Sequence, residues 1–224
     1  MTAPEVLAGH FTRGVAPRGT RLVLIRHGEA RCNVDGVIGG PHGDGGLTAR
    51  GRAQARALAE RLVRTGELGA ASALYTSVLG RSVQTAALLA PGLPSLEAVP
   101  DCGLCELHPG VADALSWTEY AVRYGALNSD ERPGSPFAPG AESWAGFHER
   151  VERALGALIV RHPGELVVAV VHGGVIEQAM KSVIHEPPAA RLGLRTEYCS
   201  VTEIEYDGPR RRLLRYNDVA PLVS

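Results

Sequence analysis

The chain has 224 residues, a formal net charge of −1 and 45% hydrophobic residues. This length and apolar content suit one α/β domain with a sizeable core, and the near-zero charge creates no overall field for binding nucleic acid or a membrane surface. Four cysteines are too few for a disulfide scaffold of this size, and no stretch approaches the ~20 apolar residues of a membrane span. We therefore expect a cytoplasmic protein with neither nucleic acid nor a membrane among its partners.

Apolar patterns predict strands and helices that alternate along the chain. The predicted strands are 21–26, 73–76, 96–99 and 166–171, followed by a hairpin of 198–206 and 212–216. The predicted helices run from Thr48 to about Arg64, from Ser77 to Pro91, over 143–162 and from Gly174 to Ile184. This order predicts an α/β fold, a mainly parallel sheet with helices on both faces. We expect a flexible tail over 1–19 and a single domain over 20–224, with an irregular, loop-rich insertion at about 107–142.

Two of the predicted strands end in the same pair of residues. Residues 22–25 are apolar at both parities and lead into Arg-His-Gly at 26–28, and the apolar run at 166–171 leads into His-Gly at 172–173. Because open α/β sheets place their ligand crevice at the carboxyl ends of strands, we expect two imidazoles and a guanidinium to meet at one edge. A guanidinium suits phosphate or carboxylate, and an imidazole can act as a nucleophile, acid or base near neutral pH.

Further motifs follow in an order that resembles the histidine phosphatase superfamily, which includes cofactor-dependent phosphoglycerate mutases and many phosphomonoesterases. The resemblance covers about residues 20–206 and implies a three-layer, phosphoglycerate mutase-like fold. The motifs that carry it are Arg26-His27-Gly28-Glu29 with Asn33, Leu47-Thr48 with Gly51, Ser77 to Arg81 with Gln84-Thr85-Ala86, Leu104-Cys105-Glu106, and His172-Gly173.

Chemistry and the resemblance together suggest a role for each site residue. His27 is the expected nucleophile, with one ring nitrogen held by a backbone carbonyl and the other free to form a phosphohistidine. Arg26, Arg81 and His172 are expected to surround the phosphoryl oxygens and stabilise their charge. Glu106 is the expected general acid, which protonates the leaving alkoxide and later takes a proton from water.

Two of these assignments leave alternatives open. Asn33 hydrogen-bonds the phosphate in one interpretation and caps a turn in the other. Glu106 is selected by the family pattern Leu-x-Glu, whereas other nearby carboxylates are Asp101, Asp113, Glu119 and Glu142.

The sequence favours neither a metal centre nor a cofactor. His27 and His172 lack a carboxylate at a convincing ligand spacing, and the two neighbouring arginines would repel a cation. Cys102 and Cys105 have redox or zinc spacing, but no second ligand pair with similar spacing follows. We therefore predict no catalytic metal and no cofactor.

Departures from the mutase pattern favour hydrolysis over transfer. Gly174 stands where mutases typically have Asn, and Ala30 stands where they usually have Ser or Thr. The basic residues that grip a second acidic group form no clear cluster, and Arg123 and Arg132 are no more than candidates. The predicted function is a metal-independent phosphomonoesterase acting on a small-molecule phosphate ester. The alternatives are a mutase-type phosphotransferase and a non-catalytic relative that binds phosphorylated ligands, and a homodimer is one expected assembly.

The substrate is suggested only by aromatic residues. Residues 107–147 contain six of the chain's eleven aromatic side chains. They would line a pocket for an apolar leaving group, or they would form a satellite hydrophobic cluster beneath a long loop.

Overall fold

A computed structural model describes residues 19–93, 96–125, 132–187 and 192–219. Its six strands form one sheet in the order β3-β2-β4-β1-β5-β6. The strands are β1 (Thr20–Arg26), β2 (Ala71–Thr76), β3 (Ala98–Pro100), β4 (Leu166–Val171), β5 (Val201–Asp207) and β6 (Arg210–Asp218). Strands β3, β2, β4 and β1 are parallel, whereas β5 and β6 run antiparallel as the predicted hairpin.

Six α-helices accompany this sheet within the described residues. They are α1 (Arg31–Val34), α2 (Ala49–Thr65), α3 (Gly80–Leu89), α4 (Trp117–Tyr124), α5 (Trp144–Arg161) and α6 (Gly173–Ile184). Short 3₁₀ turns lie at Ala90–Gly92, Cys102–Leu104 and Gly110–Ala112. Each helix in these ranges is too short or too polar to cross a bilayer.

Strand alternation divides the core between the two faces of the sheet. Leu22 and Leu24 of β1 pack with apolar residues of α5 and α6, while Val23 and Ile25 pack with those of α2 and α3. All six residues of β4 are buried, as expected for a parallel strand covered on both faces. The predicted three-layer α/β architecture is therefore confirmed.

Helix boundaries follow local side-chain chemistry. The predicted cap of α2 is confirmed, because Thr48 Oγ1 accepts a hydrogen bond from Gly51 N at 2.9 Å. This helix ends at Thr65, and its C-cap Gly66 has a φ of 63°, the left-handed conformation that glycine adopts without steric cost. Ser143 caps α5 in the same way, through a 3.0 Å bond from Gly146 N.

Two sequence predictions need correction, and one lies outside the described residues. Helix α3 begins at Gly80 with Leu79 as its N-cap, so Ser77 does not cap it. The 107–142 segment is not irregular throughout, because Ser116 and Glu119 form a capping box that starts α4. The predicted tail lies outside the described residues except for Gly19.

Candidate active site

The two histidines that follow parallel strands meet as the strand pattern predicted. Strands β1 and β4 are neighbours in register from Arg21 opposite Leu166 to Arg26 opposite Val171, and His27 N continues the ladder by donating to Val171 O at 3.0 Å. The ring centroids of His27 and His172 lie 5.1 Å apart. Both side chains are buried.

His27 is held in one tautomer, with its other ring nitrogen directed into the site. Its Nδ1 lies 2.7 Å from Gly28 O, so Nδ1 carries the proton and Nε2 presents a lone pair. Burial lowers the pKa of His27 well below 6.5, the charges of Arg81 and Arg26 lower it further, and the bond to Gly28 opposes them. The nitrogen that faces the site is therefore neutral and nucleophilic near pH 7.

Arg81 links the two imidazoles. Its Nε donates to His27 Nε2 and to His172 Nδ1, each at 3.2 Å. Arg81 is only 3% exposed and forms an ion pair through Nη1 with Asp44, whose other oxygen accepts from Arg81 N at 2.9 Å. Asp44 therefore orients a buried cation that would otherwise lack a counter-charge.

His172 is fixed from behind. Because its Nδ1 accepts from Arg81, its Nε2 carries the proton and donates to Ser77 Oγ at 2.8 Å. Ser77 Oγ also accepts from Leu79 N at 3.2 Å, which explains why Ser77 is not a helix cap. Burial, followed by the nearby Arg81, lowers the pKa of His172 well below 6.5, so its imidazole is neutral. Its N–H is directed to Ser77, and its predicted contact with the phosphoryl oxygens stays a prediction.

Arg26 offers a donor that the described protein groups leave unused. Its guanidinium carbon lies 4.1 Å from the centroid of the Tyr198 ring, and its Nη1 donates to Thr196 O. Among the described residues, Arg26 Nε is buried without a hydrogen-bond partner. An unsatisfied buried donor is costly, and this one is suited to an anionic ligand.

Glu106 is positioned by backbone amides beside these groups. Its Oε2 accepts from Gly174 N in the first turn of α6 at 3.0 Å, and its Oε1 accepts from Leu107 N at 3.1 Å. A Cβ on Gly174 would lie 2.1 Å from Glu106 Oε1. Gly174, which departs from the mutase pattern, is therefore the residue that makes room for the predicted acid.

The four alternative acids all serve structural contacts. Asp113 accepts from the amides of Gly40, His42 and Gly43 and so folds the loop that carries Asp44. Asp101 accepts from Gly103 N, Glu119 from Ser116 N, and Glu142 from His108 N. Glu106, unlike these four, lines the pocket.

The remaining motif residues support the nucleophile. A Cβ on Gly28 would lie 2.5 Å from Gly51 O, so the first turn of α2 packs directly against the residue that follows His27. Thr85 Oγ1 accepts from Gly28 N at 3.1 Å, and Gln84 Oε1 accepts from Leu47 N at 2.8 Å. These contacts tie the loop after β1 to α2 and α3.

A pocket of about 360 Å³ lies over this centre. Asn33 lines it, but its Oδ1 also accepts a 3.4 Å bond from Ala30 N, so the capping interpretation is supported and phosphate binding stays a prediction. Arg123 and Arg132 are exposed and do not line the pocket. Its wall includes aromatic side chains and one further carboxylate, namely Trp117, Phe137, Trp144 and Glu177.

The aromatic residues of 107–147 both line the pocket and form a satellite hydrophobic cluster, the two arrangements that the sequence left open. Tyr120 and Phe137 stack with centroids 4.3 Å apart inside a small cluster that includes Ile38 and Ala112. Trp117 packs edge-on against Phe137 and lines the pocket. The satellite cluster therefore supports the pocket wall.

Three residues in or beside the candidate site are not recognisable from the sequence. Asp44, Tyr198 and Glu177 carry no local signal, since each gains its role from chain segments distant in sequence. Among the described residues, no group with metal-ligand geometry includes His27 or His172. The absence of a catalytic metal stays a prediction.

Comparison with known proteins shows the family. The model of the histidine phosphatase superfamily (branch 1) matches residues 22–219, and the chain belongs to this superfamily. It is 32% identical over 206 residues to phosphoglycerate mutase-like protein 4 of Arabidopsis thaliana, covering 90% of this chain and 86% of that protein. It is 34% identical over 183 residues to the metal-independent phosphoserine phosphatase of the same plant, covering 77% and 72%.

A solved structure shows the same fold. Mycobacterial glucosyl-3-phosphoglycerate phosphatase, complexed with VO3, superposes with a TM-score of 0.73 at 26% identity, covering 88% of this chain and 99% of that one. The predicted family, fold class and enzyme class, a phosphoric monoester hydrolase, are confirmed by these matches.

Proposed function

We propose that this protein is a metal-independent phosphomonoesterase that forms a phosphohistidine on His27. The observation that carries the proposal is the unprotonated Nε2 of His27, whose lone pair accepts from Arg81 Nε, a donor that His172 shares. A phosphoryl group bound there would accept hydrogen bonds from Arg81 Nε and from the unpartnered Arg26 Nε.

The reaction divides into two displacements. His27 Nε2 attacks phosphorus, the bond from phosphorus to the ester oxygen breaks, and the protonated carboxyl of Glu106 gives its proton to the departing oxygen. Water then attacks the phosphohistidine while the Glu106 carboxylate takes a proton from it. The N–P bond breaks, its electron pair returns to Nε2, and inorganic phosphate leaves.

The structure supports hydrolysis over mutase-type transfer. A mutase must retain a phosphoglycerate through two transfers, which requires groups that grip its carboxylate. Gly174 has no side chain for this, Arg123 and Arg132 lie outside the pocket lining, and Glu177 adds a like charge to the wall. The non-catalytic alternative does not explain why the nucleophile and its orienting contacts are intact.

The substrate belongs, in this proposal, to the small-molecule phosphate esters. A pocket of about 360 Å³ with an aromatic wall suits a compact ester whose leaving group carries an apolar or ring portion. The cytoplasmic location, the homodimer and the single-domain organisation over 20–224 stay predictions.

The decisive experiment measures phosphate release from an aryl phosphate, with EDTA present, for the wild type and His27→Ala. We expect turnover by the wild type and a kcat/KM lower by about 10⁴-fold or more for the variant. Rapid quenching should also trap an acid-labile, alkali-stable phosphoenzyme in the wild type alone. Equal turnover by the two folded proteins, or an EDTA-sensitive wild type, would contradict the proposal.

A further inference from the structure

Cys102, Cys105 and His108 form a side-chain cluster that the phosphatase chemistry does not use. One ligand atom from each residue lies within 4.8 Å of the other two. Cys102 is exposed, Cys105 is buried and His108 is partly exposed, so the cluster opens to solvent on one side. The sequence pattern showed the cysteine pair but not that His108 completes it.

The two ring nitrogens of His108 are directed to Cys102 and to Glu142. Its Nε2 lies 3.5 Å from Cys102 Sγ, and its Nδ1 lies 3.6 Å from Glu142 Oε1 on the opposite side of the ring. Metal-bound histidines almost always direct their second ring nitrogen to a carboxylate, a carbonyl or water. Glu142 lies on the side of the ring where such a partner stands, at a distance longer than a hydrogen bond.

The backbone beneath the cysteines is held independently of any ion. Asp101 Oδ1 accepts from Gly103 N at 2.7 Å and caps the 3₁₀ turn. Arg150 Nη1 donates to Gly103 O and Cys105 O at 2.9 and 3.0 Å. The charge of Arg150 is balanced by Glu142, which its Nε contacts at 2.7 Å. The cluster is therefore preorganised, and the arginine opposes a cation less than an unpaired one would.

We propose that Cys102, Cys105 and His108 bind a thiophilic divalent ion such as Zn²⁺, with solvent in a fourth, open position. Two thiolates and a neutral imidazole supply the soft and borderline ligands that tetrahedral zinc takes. Binding forms two metal–sulfur bonds and one metal–nitrogen bond, and it releases the two thiol protons to solvent. The ion would serve no step of hydrolysis, since no residue of this cluster touches the reacting groups.

The ion would nevertheless stiffen the segment that carries the acid. Cys105 directly precedes Glu106, and Cys105 Sγ accepts from Ser77 Oγ at 3.3 Å. Ser77 in turn holds His172. A bound ion would therefore stabilise Ser77 and His172 without contacting the substrate.

The test titrates the full-length, reduced, metal-free protein with Co²⁺ and records its absorption. Tetrahedral cobalt with thiolate ligands shows sulfur-to-metal charge transfer and strong visible bands. We expect both to saturate at one ion per chain and to disappear when Zn²⁺ displaces the cobalt. Absence of a charge-transfer band from the folded wild type would overturn the proposal.

Matched variants locate the site. Cys102→Ser and His108→Gln should each weaken Co²⁺ binding at least about tenfold, whereas Cys199→Ala and His148→Gln, which lie outside the cluster, should bind as the wild type does. Circular dichroism confirms that each variant is folded. Equal weakening in both pairs would contradict the assignment. The readout is absorption, so the result stands whether or not the protein hydrolyses phosphate esters.

Discussion

The two ends of the pocket are built differently. At the phosphate end, His27, His172 and Arg81 are buried and joined by hydrogen bonds, and they come from the two central strands and from α3. At the leaving-group end, Trp117 and Glu177 are partly exposed side chains from α4 and α6. In the proposed function, the sheet positions the groups for phosphoryl chemistry and the covering segments select the ester.

Glu106 stands between the two ends and provides the largest test in this comparison. Glu106→Gln keeps the acceptor oxygen but removes the proton, so alkyl phosphate esters should lose about 10²-fold in kcat/KM. Aryl phosphates, whose leaving groups need less protonation, should lose about tenfold or less. Both are measured as initial rates with EDTA present. Equal slowing of the two substrate classes would show that Glu106 is not the general acid.

Substitutions at two neighbouring glycines test whether catalysis depends on the position of the Glu106 carboxylate. The Cβ in Gly174→Ala would meet Glu106 Oε1 at 2.1 Å, whereas that in Gly173→Ala would meet the Arg26 side chain at an ordinary 3.5 Å. We expect Gly174→Ala to lower kcat for alkyl esters about tenfold by displacing the acid, with a smaller effect on aryl esters. Gly173→Ala is the matched comparison, and because its Cβ would contact Arg26, a proposed phosphate donor, any loss that it causes should be the same for alkyl and aryl esters. Similar losses in the two variants would point to the helix terminus rather than to Glu106.

The phosphate end was largely predictable because its geometry follows from strand chemistry. Two apolar runs that end in His-Gly must deliver both imidazoles to one sheet edge if the strands are parallel neighbours, and β1 and β4 are. Thr48 could also be predicted as a helix cap, because its capping signal depends only on neighbouring residues. Ser77 carried an equally good capping signal, but its hydroxyl is used 95 positions away by His172.

The residues that sequence analysis missed depend on contacts between distant segments. Asp44 becomes the partner of Arg81 only because Asp113 folds the glycine-rich loop beneath it. The sequence pattern presents Gly174 only as a missing contact to substrate. It contains no information about where the Glu106 carboxylate lies. The proposed role of His108 as a third ligand is not recognisable in the sequence, because typical zinc patterns contain a second pair of ligands.

The neutral, buried imidazole of His27 predicts a specific dependence of stability on pH. The pKa of His27 lies well below 6.5 in the folded protein, so below about pH 6.5 the unfolded chain binds more protons and the free energy of unfolding falls. His27→Gln should therefore lose about 1 kcal/mol less stability than the wild type between pH 7.5 and 5.5. Urea unfolding at the two pH values measures this, with His42→Gln in an exposed loop as the control. An equal loss of stability between the two pH values in His27→Gln and in the wild type would contradict a neutral, buried His27.

The smallest effect is expected at the leaving-group end. Glu177 lines the pocket and is paired with Lys181 at 3.3 Å, so its charge is partly screened and worth at most about 1 kcal/mol to an approaching anion. Glu177→Gln should lower the KM for a phosphate ester that carries a carboxylate about threefold, and leave that for a neutral alkyl phosphate unchanged. Steady-state kinetics on such a pair of esters measures the ratio. A change in kcat shared by both esters would instead connect Glu177 to the phosphate end, and the division between chemistry and selectivity would fail.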